Sequence, residues 1–294
     1  MKICKVLFLS LFIFIFTTGF NYRRVDYREG MYKNVCKDLK NNVLVYFIFI
    51  DSKETSPWTE FDIRSTIDSV HAATKWIGEQ ARQSGIQLNI ITDYYIGKEF
   101  TTVRKNLLNG NVYKTVTTPN FKKGFKELNT WADNIAKKVG SEVQLVDKDG
   151  IPEVQNPRNK ERLIAHLRDE KQVESVALLF LVNNYYKEDI SVVVNQFDTK
   201  DVEFAVVSYK YPSVIAQNVL GLFGAADLYK SLNRHDDKKI NMAAAFFPDD
   251  IMQDVYAKDI NKLEIGELTK YLIGWSSKLD PKYEPLLIDK MANF

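Results

Sequence analysis

The residues whose types and spacing could support chemistry lie in one stretch, VIAQNVLGLFGAADLY, which begins at Val214. At about 100° per residue, Gln217 and Gly221 fall on one side of a helix with Asn218 beside them, and the opposite side is apolar. Amides donate and accept hydrogen bonds, and Asp227, just past the helix, adds the one carboxylate of the stretch. The spacing predicts a helix with an apolar side that packs on a core and a small, polar side.

This stretch resembles the active-site helix of HExxH zinc metallopeptidases of the metzincin-like kind, which reads HExxHxxGxxD. In that family two His one turn apart bind zinc, the Glu is the general base, the Gly allows a sharp turn and the Asp is the third ligand. In QNVLGLFGAAD, Gln217 and Gly221 stand at the two His positions and Asn218 stands at the Glu position. Only Gly224 and Asp227 keep the pattern.

The flanking sequence extends the resemblance. The segment Asp250, Ile251, Met252 lies downstream, where the family has its Met-turn. The resemblance implies structural roles for Gly224, Asp227 and Met252, with Met252 packed under the site. The alternative explanation is an ordinary amphipathic helix that ends in glycine by coincidence.

The three substitutions remove the chemistry of the motif. The amide of Gln217 is a poor zinc ligand and Gly221 offers no side chain. Asn218 cannot accept and return a proton near neutral pH. We therefore expect no bound zinc, no other cofactor and no hydrolysis. Asp227 is then expected to hydrogen-bond free backbone groups at the helix exit.

One route to an active enzyme stays open, in which a metal is held by recruited ligands. The chain has 3 His, and His235, eight residues past Asp227, is the only one close in sequence to the degenerate site. Asp227 and His235 would then serve an active metal-dependent peptidase. His71 and His166 lie on predicted helices beside apolar positions and are interpreted as packed or partly exposed residues at the edge of the core.

The elements that must position this helix follow from hydrophobic patterning. Apolar or alternating runs predict strands at residues 43–50, 86–95, 176–182 and 202–209. A long helix is predicted from the N-cap Thr59 to Gln83, and a closing helix over residues 263–275. Helical spacing at residues 121–139 and 160–169 predicts a helical insertion, about 96–171, packed on the same sheet.

We therefore predict an α/β, zincin-like (metzincin-like) domain spanning residues 43–294. Its sheet is mixed and mainly parallel, with a long backing helix and the active-site-type helix. The resemblance also implies an exposed antiparallel edge strand before that helix, which pairs with substrate and would serve without zinc by β-augmentation. The best match by order is Ile190, Ser191, Val192, Val193, Val194 and Asn195.

The N-terminus predicts export. Lys2 and Lys5 precede the apolar run VLFLSLFIFIF, and Gly19 follows, so residues 1–19 have the three parts of a signal peptide. An uncleaved anchor formed by residues 6–20 is the alternative, and residues 20–42 are interpreted as a polar lead-in. Cys36 would be the only cysteine of the mature chain, an idle thiol, which favours a bacterial periplasm or cell exterior.

Composition limits the classes of partner that the chain is expected to bind. With 45% hydrophobic residues the 294-residue chain can bury a large core, and a net charge of +2 gives no case for nucleic-acid binding. The sequence favours a pseudo-metallopeptidase that binds a peptide or protein segment without cleaving it. A structural cell-envelope protein is the other alternative, and contact with a membrane is expected only through an uncleaved N-terminal segment.

Overall fold

The structure is a computed structural model, and it describes nine stretches of the chain. These are residues 36, 38–97, 102–107, 121–142, 159–183, 190–194, 202–208, 210–229 and 237–287. The predicted signal peptide and most of the lead-in lie outside them. Within the described residues no helix combines the length and the apolar character needed to cross a membrane.

The described strands belong to one sheet. In chain order they are β1 (Asn41–Asp51), β2 (Leu88–Tyr95), β3 (Val103–Arg104), β4 (Ser175–Val182), β5 (Ser191–Val194) and β6 (Phe204–Val207). The described α-helices are α1 (Glu60–Gln83), α2 (Phe121–Glu142), α3 (Asn159–Lys171), α4 (Pro212–Leu222), α5 (Asp237–Phe246), α6 (Glu267–Leu272) and α7 (Glu284–Leu287). Short 3₁₀ turns span Ile260–Lys262 and Pro281–Tyr283.

The strand order is β2-β1-β4-β6-β5, with the short β3 pairing on the end of β1. All neighbours are parallel except β5, which runs antiparallel to β6 at the edge of the sheet. The prediction of an α/β chain with a mixed, mainly parallel sheet is therefore confirmed.

The sheet is covered on both faces, which explains why β1 is an uninterrupted apolar run. Alternate residues of β1 enter two separate cores. Val45 and Phe47 pack with α1 and α4, whereas Tyr46 and Ile48 pack with α2 and α3. The predicted insertion helices thus cover the face of the sheet opposite α4.

Local signals explain where α1 begins and ends. The side chain of Thr59 accepts the Asp62 N–H, and the Asp62 carboxylate accepts the Thr59 N–H, which forms a capping box. The helix ends at Gln83, and Gly85 follows with a φ of +69°, which favours glycine. The prediction for this helix is confirmed at both ends.

At the two chain ends, the burial of two lead-in residues was not expected, and the bounds predicted for the closing helix are wrong. Cys36 and Leu39, in the predicted polar lead-in, are fully buried in the core beside α1. The closing helix predicted over residues 263–275 is reduced to Glu267–Leu272. It begins late because Glu264 forms a β-bridge with Asp250 and Gly266 donates its N–H to the Asp250 carboxylate, so the backbone before 267 is committed to other bonds.

Candidate functional site: the degenerate helix and its neighbours

Helix α4 follows β6 almost directly and starts with Pro212 in its first turn, where a missing N–H costs nothing. It ends at Leu222, and Gly224 takes a φ of +97° immediately afterwards. The Gly224 N–H donates to the Gly221 carbonyl at 3.1 Å. Gly224 is therefore the predicted turn residue, because side-chain-bearing residues rarely adopt this backbone conformation.

The polar side of α4 is not an open surface. Asn218 is 2% exposed, Gly221 is buried, and Gln217 is only partly accessible. The helix is enclosed by α1 on one side and by the β5–β6 end of the sheet on another. These three residues therefore face other parts of the same chain.

Gln217 forms hydrogen bonds with a segment that follows α5 and contains Ile251 and Gln253. Its Nε2 donates to the carbonyl oxygens of Ile251, at 3.0 Å, and Gln253, at 2.7 Å. These two bonds use both donors of the amide. Gln217 thus joins α4 to the segment that contains Ile251 and Gln253, and its amide nitrogen has no donor left for another group.

Asn218 joins α4 to the edge strand. Its Nδ2 donates to the Ser191 Oγ at 2.9 Å and to the Val214 carbonyl at 2.8 Å. The Val214 bond lies within the helix, whereas the Ser191 bond reaches β5. The Asn218 side chain is therefore a buried connection between α4 and β5.

Gly221 makes the closest contact with β5. A Cβ atom placed on Gly221 would lie 3.0 Å from the Cγ2 atom of Val193. That separation is too short for an ordinary van der Waals contact, so Val193 occupies the space that a side chain at 221 would need. The position that the resemblance assigns to the second ligand is therefore filled by Val193.

Asp227 has the local role expected of it. Its Oδ1 accepts the Tyr229 N–H at 2.8 Å, and the neighbouring Leu228 N–H donates to the Met252 carbonyl at 2.9 Å. Met252 is 3% exposed and packs in the core under α4. The exit of the helix and the Met252 segment therefore support each other.

The structure does not assemble a metal site from the residues that it describes. In this part of the chain no three His, Cys, Asp or Glu side chains lie close enough together to hold an ion. His235 lies outside the described residues, so the recruited-ligand alternative with Asp227 stays a prediction. Of the other histidines, His71 is exposed, and the His166 Nε2 lies 3.2 Å from the Glu170 carboxylate.

Asp250 was named only as part of the downstream segment, and sequence reasoning missed its role as a buried acceptor. It is fully buried, and its carboxylate accepts the N–H groups of Met252 at 2.7 Å and Gly266 at 2.8 Å and the hydroxyl of Thr269 at 2.9 Å. Burial raises its pKa to about 6, although these bonds favour the ionised form. The available sequence signal for a buried carboxylate was an acid directly before the apolar residues Ile251 and Met252.

The predicted edge strand is present as β5, and Ile190 precedes it. The Ile190 carbonyl accepts the Ser208 N–H at 2.7 Å, so the alternation of an antiparallel ladder directs the backbone groups of Val192 and Val194 toward β6. The backbone groups of Ser191 and Val193 then point to the outer edge, where no described strand pairs. Asn195, the last residue of the predicted strand, lies outside the described residues.

Cys36, expected to be an idle thiol, is a core residue on the same face as α4. Its Sγ donates to the Val176 carbonyl at 3.0 Å. Burial, reinforced by the nearby Glu203 carboxylate, raises its pKa well above the ordinary value, which keeps the thiol protonated and unreactive.

Comparisons of the chain with protein-family models, with curated proteins and with solved structures find no match.

Proposed function

We propose that this protein is an exported, non-catalytic relative of metzincin-like zinc peptidases that binds an extended peptide or protein segment along β5 without cleaving it. The observation that carries the proposal is a helix whose polar side is enclosed by the chain, next to a strand whose outer edge pairs with no described strand. The polar positions of α4 are engaged within the chain, whereas Ser191 and Val193 direct backbone groups outward.

The zincin-like part of the proposal is supported by element order. A buried strand, a long helix and a parallel second strand begin the described domain, and an antiparallel edge strand precedes α4. Gly224 with positive φ and Asp227 then follow at the spacing of the motif. This is the arrangement that the resemblance implies for such peptidases.

The binding part of the proposal depends on edge-strand chemistry. An extended peptide laid against β5 could exchange backbone hydrogen bonds with Ser191 and Val193, which is β-augmentation. Asn218 and Gly221 hold β5 against α4, so the strand is fixed before a peptide arrives. A fixed strand avoids the entropy cost of ordering it on binding.

The test is selection of random eight-residue peptides displayed on phage, followed by affinity measurement with the selected peptides. The Val193→Pro variant removes one outward N–H but no bond to β6, so we expect at least a tenfold loss of affinity. The matched Val193→Ala variant keeps the N–H and should bind within about threefold of the wild type.

A second readout uses the unmodified protein. Bound peptide should slow hydrogen exchange of the Ser191 and Val193 amides, while Val192 and Val194, already directed toward β6, change little. Selection that yields no peptide, or peptides that protect other amides, would remove peptide binding from the proposal.

A structural cell-envelope role is the second candidate, and the closure at Gly221 favours it. The Val193 side chain fills the second ligand position, so no inherited cleft opens there. Failure of peptide selection together with an unchanged fold would leave this role as the better explanation.

Ancestry can be tested separately from binding by restoring the motif. Gln217→His, Asn218→Glu and Gly221→His recreate the ligands and the base, and Val193→Ala makes room for the side chain at 221. We expect the four-residue variant to bind one zinc ion with Asp227 as the third ligand. The same triple variant with Val193 retained is the control and should bind zinc more weakly.

A further inference from the structure

A cavity of about 810 Å³ lies on the other face of the sheet, between α2 and residues 104–106 at the end of β3. Four basic side chains line it, Arg104, Lys105, Lys123 and Lys126. Among the described residues Glu127 is the only carboxylate of the lining. Sequence reasoning missed this cluster because charge is even over the whole chain and the four cations come from two separate segments.

The wall that carries Arg104 and Lys105 is held in place from two sides. The Lys105 N–H donates to the Asp51 carbonyl of β1 at 2.8 Å. From α2, the Trp131 Nε1 donates to the Asn106 carbonyl at 2.9 Å, and the Lys138 Nζ donates to the Arg104 carbonyl at 2.6 Å. Trp131 is 2% exposed and anchors this wall to the core. The cations therefore stand on a fixed backbone.

The opposite wall is one stripe of α2. Lys123, Lys126, Thr130 and Asn134 lie at successive helical spacings and all line the cavity. The first turn of this 22-residue helix contains no acidic residue, although the positive end of the helix dipole favours acids there. Lys123 near that end adds to the unfavourable charge, which an anion in the cavity would compensate.

We propose that this cavity binds a small, multiply charged anion of the phosphate class, such as a phosphate ester or a polyphosphate. Its volume falls in the range of about 300–1,000 Å³ that small-molecule sites occupy. The Arg104 guanidinium offers a planar pair of donors that matches phosphate oxygens, and the lysines add point charges around it. The site is independent of β5 and of the proposed peptide binding.

Calorimetric titration of the wild-type protein with inorganic pyrophosphate, at 20 mM and 150 mM NaCl, tests the proposal. We expect binding of one pyrophosphate per chain with a submillimolar Kd that weakens at the higher salt concentration. The Arg104→Gln/Lys126→Gln variant should bind at least tenfold more weakly. The Lys75→Gln/Lys258→Gln variant removes the same charge from exposed positions outside the cavity and should bind as the wild type does.

Each other outcome overturns the assignment. No heat of binding up to 5 mM pyrophosphate would show that the cavity is not an anion site. An equal loss in both double variants would indicate a general effect of net charge. Tighter binding of citrate than of pyrophosphate would assign the cavity to polycarboxylates instead of phosphates. Thermal unfolding of all variants confirms that each is folded.

Discussion

Polar side chains on the two faces of the sheet have opposite environments. Around α4, the amide nitrogens of Gln217 and Asn218 and the carboxylate of Asp250 form hydrogen bonds inside the chain. Around the cavity on the other face, Arg104 and Lys123 line an open space and form no ion pair with a described residue. Near α4 the side-chain donors of Gln217 and Asn218 are bonded within the chain, although the buried Asn218 Oδ1 has no hydrogen-bond partner among the described residues, whereas the cavity retains charge for a ligand.

This difference shows that a polar residue at a motif position does not have to bind a ligand. Burial removes water, so a polar atom needs a protein partner and becomes part of the fold. A cation that lines a cavity keeps its hydration and can exchange it for a ligand. Substitutions should therefore affect stability near α4 and ligand affinity at the cavity, and the following predictions test that division.

The largest effect is expected for Gly266→Ala, in the segment that supports α4. The new Cβ would lie 2.6 Å from the Asp250 Oδ2 and 3.0 Å from the Phe247 Cδ1. Overpacking and loss of the Gly266 bond to Asp250 should together lower the free energy of unfolding by about 4 kcal/mol. Denaturant unfolding measures this change.

The matched control is Gly78→Ala in α1, where no atom lies within 4 Å of the new Cβ. This variant should gain about 0.5–1 kcal/mol from helix propensity. Equal effects of the two substitutions would show that the segment around Asp250 is looser than the contacts indicate.

The second effect is the pH dependence that Asp250 imposes. Its pKa is about 6 when folded, against an ordinary value of 3.8, so between these values the folded chain binds a proton that the unfolded chain has lost. Lowering the pH from 7 to 4 should therefore add up to about 3 kcal/mol to the free energy of unfolding from this residue. The contribution is lost as the pH rises through 6.

Comparison with Asp250→Asn isolates this contribution, because the variant has no proton to bind at this position. The free energy of unfolding of the wild type, minus that of the variant, should increase as the pH falls. Asp62 acts in the opposite sense. Burial opposes the ionisation of Asp62, but hydrogen bonds from Lys210 and Thr59 outweigh that cost and lower its pKa. The contribution of Asp62 to the pH dependence is the same in both proteins, so it cancels in the comparison. Parallel pH profiles would contradict the role of Asp250.

The third effect is the coupling between Gly221 and Val193. Gly221→Ala should destabilise the wild type by about 1 kcal/mol, because overpacking against Val193 exceeds the gain in helix propensity. In the Val193→Ala background the same substitution should be neutral or stabilising, with a coupling energy of about 1–2 kcal/mol. Additive effects in this double-mutant cycle would show that β5 does not close the position.

The smallest effect is expected at the cavity, where Lys123→Gln/Lys126→Gln should leave the fold intact. Removing two cations near the start of α2 should raise the free energy of unfolding by about 0.5 kcal/mol at low salt, because the helix dipole disfavours them there. The gain should vanish at 0.5 M NaCl. A loss of more than 1 kcal/mol would mean that these lysines are structural, and the contrast between the two faces would fail.

The features that were predictable from sequence are those specified by neighbouring residues. Thr59 and Asp62 form a cap within one turn, and the apolar run of β1 reports burial on both faces directly. The place of Gly224 after α4 follows from a single residue type. The antiparallel edge strand followed from the order of elements that the resemblance implies.

The features that escaped prediction depend on residues distant in sequence. Nothing local to Gly221 indicates that Val193 fills its space, and nothing local to Asp250 indicates that Gly266 and Thr269 donate to it. The basic cavity has the same origin, because Arg104 and Lys126 meet only when β3 packs beside α2. Sequence patterns predicted the frame of the site, but not its closure.

The contact between Gly221 and Val193 also constrains how sequences of this kind can diverge. A side chain fits on the helix at position 221 only if the side chain at position 193 of the strand is smaller than valine. The two positions therefore cannot vary independently. Homologous chains that carry a bulky residue at the first position should carry alanine, serine or glycine at the second. That covariation would show, from sequence alone, which homologous chains have open space between the strand and the helix.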